Sequence, residues 1–161
     1  MVHDIVLAVD GSETLTMPGP GLGRVHSVLL FPGVDETGAD FGLFENVNIW
    51  GSVFDDLNGN EAYDMEPGVV NRVVFLDANG NGVLDGKERS TRTDGSGGFL
   101  FEDVGPGFFT VRQQTPDGVV EQNVHQVAVT SGTDVGDVQL GSFILGRIRG
   151  RVLWFPRPGL A

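Results

Sequence analysis

The sequence predicts an all-β chain of the sandwich class, with about seven strands to a unit and the units arranged in tandem. Three observations lead there. Glycine and proline make up 25 and 8 of the 161 residues, and they punctuate short runs rich in Val, Ile and Phe, the pattern of strands joined by tight turns. The flanks of the most polar loops lack the apolar spacing of an amphipathic helix. The chain also matches itself: residues 25–53 align without a gap to residues 124–152, an offset of 99. Identical pairs include Val25/Val124, His26/His125, Gly33/Gly132, Gly42/Gly141, Phe44/Phe143, Gly51/Gly150 and Val53/Val152. That density of identities marks a repeat rather than chance.

The repeat sets the domain organisation. Residues 49–143 are expected to form one complete unit. Residues 1–48 correspond to the C-terminal part of a preceding unit, and 144–161 to the first strand of a following one or to a strand donated to a neighbouring subunit. Within 1–48, residues 3–9 and 25–31 read as strands on either side of the Gly/Pro-rich link at 17–23. The complete unit starts with VNIWGSVF and continues through NRVVFL, STRT, FLFE, FFTVRQ, VHQVAVT and VGDVQLG. Phe99, Phe101, Phe109 and Val111 alternate in places with polar residues, which fits one half-buried face.

Between the first strands lie the chain's two most polar loops. DANGNGVLDGKE, residues 77–88, places side-chain oxygens at loop positions 1, 3, 5, 9 and 12: Asp77, Asn79, Asn81, Asp85 and Glu88. Gly82 stands at position 6, where such a loop turns sharply, and Val83 at position 7 offers a backbone carbonyl. Hard divalent cations take six to eight oxygens at roughly 2.3–2.6 Å, and this spacing wraps a short loop around one calcium ion. The bland alternative is a polar turn of Asx and glycine residues. At an offset of 21, Asp56, Asn58, Asn60 and Asp64 repeat the pattern, with Ala62 at position 7. The copy is less regular: Glu61 replaces the glycine, and Glu66 falls at position 11, reaching the ion if the loop is one residue shorter. Because the flanks are β-branched and aromatic, both loops are expected on a β scaffold rather than in a helical EF-hand.

Together these segments resemble the calcium-binding B-type repeats of serine–aspartate-repeat surface adhesins, which sit with the collagen-adhesin B-type domains. The resemblance runs over about residues 49–143 and rests on I-x-G-x-V-F-x-D-L-N-G-N, V-F-L-D-A-N-G-N-G-V-L-D, T-D-G-S-G-G-F-L-F and V-G-P-G-F-F-T-V-R. It implies an Ig-like, transthyretin-like seven-stranded sandwich, an extracellular or cell-surface home, and a calcium-rigidified stalk or filament module. It carries the calcium role to the nine side chains Asp56, Asn58, Asn60, Asp64, Asp77, Asn79, Asn81, Asp85 and Glu88, and more weakly to Asp94. Some related domains hold a Lys–Asn crosslink; the single lysine, Lys87, lies inside a loop, so none is expected here.

Composition narrows the partners. A formal charge of −12 disfavours nucleic acid and anionic membranes. No stretch approaches the roughly 20 apolar residues of a membrane span. Absence of cysteine excludes disulfides and thiolate metal sites. The first ten residues lack a basic n-region and a long apolar h-region, so they are not expected to act as a signal peptide. His26 and His125 are repeat-equivalent strand positions, which points to a structural role. The acidic residues carry metal-loop spacing rather than that of a catalytic carboxylate pair, and no enzyme is expected. Partners are therefore expected to be copies of the chain, neighbouring repeats, or a surface or matrix ligand. For the first of these, residues 147–154 are the candidate: Arg147, Arg149 and Arg151 alternate along an expected strand ending at Trp154. That strand could complete the N-terminal half-unit of a neighbour. Covalent neighbours in a longer chain could do the same.

Overall fold

A computed structural model describes residues 41–151 throughout. Before them it describes the backbone of three strands and the four residues Pro32, Gly33, Asp35 and Thr37. Those strands are β1 (Val2–Val6), β2 (Glu13–Met17) and β3 (Val25–Leu29). Antiparallel β1 and β3 form one two-stranded sheet, and β2 pairs with β4 (Gly42–Glu45) in another. The expectation of two strands over 1–31 missed β2, whose ETLTM alternates Thr with apolar residues but adjoins the proline-rich link.

The unit that follows is a sandwich of two four-stranded sheets. Its strands are β5 (Val47–Asp55), β6 (Val73–Asp77), β7 (Ser90–Arg92), β8 (Gly98–Val104), β9 (Gly107–Gln113), β10 (Val119–Gln122), β11 (His125–Val129) and β12 (Val135–Ile144). One sheet runs β10-β12-β5-β8 and the other β11-β9-β6-β7. The seven strands expected are thus eight. The addition is β10, a four-residue VVEQ after the Pro116–Asp117–Gly118 turn, too short and too polar to stand out by alternation.

Sequence alternation explains the packing. Along β5, Val47, Ile49 and Val53 face inward, with Phe54 buried at the strand's end. Against them pack Val74 and Leu76 of β6, Phe99, Phe101 and Val104 of β8, Val111 of β9 and Val138 and Leu140 of β12. Phe99 and Phe101 meet edge to face with centroids 6.0 Å apart, an orientation their quadrupoles favour. Polar side chains join the sheets at the margin. Gln113 of β9 donates through Nε2 to the Gly141 carbonyl at 2.6 Å, and Arg112 is held by Glu121 of β10 at 2.7 Å.

The first and last strands of the unit are neighbours and run parallel. The ladder pairs Ile49 with Val135 at one end and Asp55 with Ser142 at the other. Antiparallel pairs dominate elsewhere, so this one contact makes its sheet mixed. β4 and β5 are separated by Asn46 alone. The turn between β11 and β12 grips this joint: Glu45 N–H donates to Ser131 Oγ (2.9 Å), Gly132 N–H to the Glu45 carbonyl (3.1 Å), and Asn48 N–H to Asp134 Oδ1 (2.7 Å).

Candidate metal centre

Both polar loops leave the sandwich from the C-terminal end of a strand, the first from β5 and the second from β6. Each opens on an aspartate seated in the protein: Asp56 is 1% exposed and Asp77 2%. Burial without partners would be costly for a carboxylate, and the loop backbone supplies the partners. Asp56 accepts from the N–H of Gly59 (2.7 Å), Asn60 (3.3 Å) and Glu61 (2.9 Å). Asp77 accepts from Gly80 (2.6 Å) and Gly82 (2.8 Å). For Asp56, burial pushes the pKa up, but backbone N–H groups of Glu61, Gly59, Asn60 and Asn58 outweigh it and hold the carboxyl below the usual aspartate value.

The loops then share one pattern of asparagine bonds. Asn58 Oδ1 accepts from Asn60 N–H and Asn60 Oδ1 from Ala62 N–H, both at 2.9 Å. In the second loop Asn79 accepts from Asn81 (2.9 Å) and Asn81 from Val83 (2.8 Å). Both asparagine amides of each loop converge on its position-9 aspartate. Asn58 and Asn60 donate to Asp64 at 2.9 and 3.4 Å, and Asn79 and Asn81 to Asp85 at 2.7 and 2.9 Å. The last acid closes the ring. Glu88 accepts from Ala78 N–H at 3.0 Å, and Glu66 accepts from Leu57 N–H at 2.7 Å.

Glu66 at position 11 therefore accepts the N–H of the loop's second residue as Glu88 does from position 12, but Glu88 also accepts from Asp85 N–H at 3.0 Å and Glu66 has no matching second bond. The missing glycine is absorbed: Glu61 takes φ 62° where Gly82 has 74°. A non-glycine residue in that region carries strain, so the first loop is the less relaxed of the pair.

Among the described residues, no group of three or more His, Cys, Asp or Glu side chains forms a metal cluster. The convergent sets here mix asparagine with carboxylate, the neutral and anionic oxygen donors that calcium accepts. One further observation fits a cation: Glu66 Oε2 is buried with no hydrogen-bond partner, a condition rare in native interiors. Asp77 has a cationic neighbour the sequence did not reveal, Arg112 Nη1 at 4.0 Å. Its strand, FFTVRQ, identifies Arg112 as polar without showing which loop it faces. Asn123 likewise donates to the Glu61 carbonyl across the sandwich.

Asp94 joins neither loop. Its Oδ1 accepts from Ser96 N–H (2.8 Å), Ser96 Oγ–H (2.8 Å) and Gly98 N–H (2.9 Å), tying the turn that carries the chain from β7 in one sheet to β8 in the other. The Ser96 hydroxyl and the backbone N–H groups hold its carboxyl below the usual aspartate value. A depressed folded value adds stability above the unfolded value of about 3.9, and that stability is lost as pH falls through the folded one. Replacing Asp94 with Ala should therefore lower the melting midpoint at pH 7, with the gap to wild type closing below about pH 4. A gap independent of pH would show the turn to be held by something else.

At the C-terminal end, Arg147, Arg149 and Arg151 are exposed. Over 147–151 the expected strand is not formed, because no strand edge among the described residues lies alongside to supply ladder bonds. The last tie is Leu145 N–H to the Gly118 carbonyl at 2.8 Å. Trp154 lies outside the described residues. Trp50 is 41% exposed, with its ring over Gly136. His125 is an exposed β11 residue, opposite Val111 in the ladder. No helix among the described residues is long and apolar enough to cross a membrane.

A two-sheet sandwich with paired acidic loops at its strand ends defines the class: a β-sandwich module with duplicated loops. No family model matches the chain. Serine-aspartate repeat-containing protein D of Staphylococcus aureus, in strains Newman and MW2, is 33% identical to it over 129 residues, 78% of this chain. The chain thus carries a B-repeat-like domain of the serine–aspartate-repeat surface adhesins, an extracellular or cell-surface protein class. It spans 9% of the length of those relatives. Among solved structures, the full-length major pilin SpaD of Corynebacterium diphtheriae superposes with a TM-score of 0.42 at 12% identity, covering 62% of this chain and 32% of the pilin. The group B streptococcus pilus 2b backbone protein gives 0.43 at 9%, covering 75% of this chain and 48% of that protein. At that level of likeness the fold is read from the chain's own strands.

Proposed function

We propose that this chain is a calcium-stabilised structural module of a cell-surface stalk or filament, with no catalytic role. The observation that carries the reading is the hydrogen-bond pattern shared by the two loops, with Glu66 accepting the Leu57 N–H as Glu88 accepts that of Ala78. Calcium in the first loop would be held by Asp56, Asn58, Asn60, Asp64, Glu66 and the Ala62 carbonyl. In the second it would be held by Asp77, Asn79, Asn81, Asp85, Glu88 and the Val83 carbonyl. The ion would supply positive charge among carboxylates that otherwise repel one another. The first loop passes from one sheet to the other, so an ion there ties the two layers together. The second ties β6 to the edge strand β7.

The 99-residue repeat supports partners of the chain's own kind, either neighbouring repeats or further copies. Calorimetric titration should find two calcium ions per chain, and Glu66→Ala should leave one while the second loop stays filled. A titration without heat or binding would overturn the calcium reading. An adhesive role has one observation in its favour. Phe108 is 82% exposed and lines an open groove of about 580 Å³ with Asp77, Asn79, Gln126 and Ala128. Exposed aromatics beside a rigid loop suit ligand capture.

A further inference from the structure

We propose that Arg112 is a cation built against the second loop, one that holds the loop in shape without calcium and lowers its affinity for the ion. The proposal rests on the calcium reading above and names how one of its two sites is tuned.

The strand register puts Arg112 there. Along the antiparallel β6–β9 ladder, Asp77 lies opposite Thr110 and Phe75 opposite Arg112. Side chains alternate along a strand, so Arg112 shares a face with Asp77 and is its diagonal neighbour. A second carboxylate fixes the guanidinium. Glu121 Oε2 accepts from Arg112 Nε at 3.0 Å and Nη2 at 2.7 Å, while its Oε1 accepts from the Gln113 N–H at 2.6 Å. Glu121 is thereby pinned to β9 twice, which keeps the guanidinium from swinging away. The remaining nitrogen, Nη1, lies 4.0 Å from Asp77 Oδ2. At that distance there is no hydrogen bond, and the attraction is one of charge. Screening is weak, because the Asp77 side chain is 0% exposed and that of Arg112 29%.

The loop is shaped to receive this cation. A Cβ on Gly82 would lie 2.9 Å from Arg112 Nη1, so the glycine at position 6 makes room for the guanidinium as well as for the turn at φ 74°. The first loop differs at each point. Its position 6 is Glu61, and the ion pairs within 4.0 Å among the described residues both belong to Arg112. Asp56 instead accepts a third N–H, from Asn60, for which Asp77 has no counterpart. The group that reaches the first loop from beyond β10 is neutral, the Asn123 amide on the Glu61 carbonyl. Charge within the loops leans the same way. Residues 56–66 carry Asp56, Glu61, Asp64 and Glu66 and no base, whereas residues 77–88 carry Asp77, Asp85, Glu88 and the exposed Lys87.

One charge then has two effects. Without calcium, Arg112 offsets the repulsion among Asp77, Asp85 and Glu88. With calcium, the ion shares the Asp77 carboxylate with a charge of its own sign, and affinity in such loops follows the charge count. Glu121 restrains the second effect, since its charge answers that of Arg112. Neutralising Arg112 or Glu121 therefore moves the second loop's affinity in opposite directions, which a merely structural contact would not do.

Chelator-buffered calcium titrations of the 161-residue chain test this, followed by NMR at the amides of Gly80 and Gly82 for the second loop and Gly59 for the first. Arg112→Gln should fill the second loop at about tenfold lower calcium, the scale set by one weakly screened unit charge. Glu121→Gln, which still accepts the Gln113 N–H, should need several times more calcium than wild type. The first loop should fill as in wild type in both. In chelator, Arg112→Gln should lose hydrogen-exchange protection at the Gly82 N–H, and Arg112→Lys should retain it. A second-loop midpoint unmoved by Arg112→Gln, or moved the same way by both neutral variants, would overturn the proposal. So would Gly82 protection that survives Arg112→Gln. If calcium shifts none of these amides in any chain, the calcium reading falls and takes this proposal with it. If the second loop fills at one calcium level in all of them, this proposal alone is overturned.

Discussion

Removing calcium should lower the melting midpoint of this chain by about 10 °C or more. A ligand bound only to the folded state stabilises it by about 2.7 kcal/mol when present at 100 times its dissociation constant. For a domain of this size each kcal/mol moves the midpoint by about 4–8 °C. Two sites raise the expectation further. Thermal melts followed by circular dichroism, in millimolar calcium and then in excess chelator, read the difference directly. The loops should also become protease-sensitive, with cleavage first at the 56–67 loop, where Glu61 is strained. An identical midpoint in chelator would remove calcium from the stabilising role.

The second large effect is expected at Gly51. Valine there would drive its Cβ into the backbone of β12, at 1.9 Å from the Val138 carbonyl oxygen and 2.7 Å from the carbonyl carbon. Backbone cannot step aside as a side chain can, so the parallel ladder must open or the strands must separate. Since Ile49 and Val53 are fully buried on the same strand, separation also exposes the core. The loss should reach about 4 kcal/mol, the range reserved for severe steric or cavity defects. Urea unfolding of Gly51→Val against wild type measures it. A loss under about 1 kcal/mol would mean that the two strands are not held at this distance.

The sandwich was largely legible because its strands obey simple patterns. β5, β6, β8, β9, β11 and β12 are long or apolar enough for inward-facing residues to show, and the turns between them are written in glycine. β10 escaped notice because four residues hold barely two on each face. β2 escaped because its neighbours are proline-rich. The kinship of the two loops was legible because the spacing of Asp, Asn and Glu is a property of sequence alone. Glu66 was readable as the closing residue only if the loop is one residue shorter, and the folded path shows it receiving the Leu57 N–H. Arg112 beside Asp77 was invisible, as it arrives from a strand 35 residues downstream. The segment after β12 differs in kind. Its pattern is that of a strand, but a strand needs a neighbour, and among the described residues none lies alongside 147–151.

The parallel contact between β5 and β12 has a mechanical consequence. Under the stalk role proposed above, tension would enter the unit at the start of β5 and leave at the end of β12. Because the two strands are adjacent and parallel, pulling on those ends slides one along the other instead of peeling them apart. The ladder from Ile49 to Asp55 is then loaded in shear, all its bonds sharing the force at once. An antiparallel pair gripped at one end would surrender its bonds singly. The topology that brings first and last strands together thus makes each unit a clamp in line with the load.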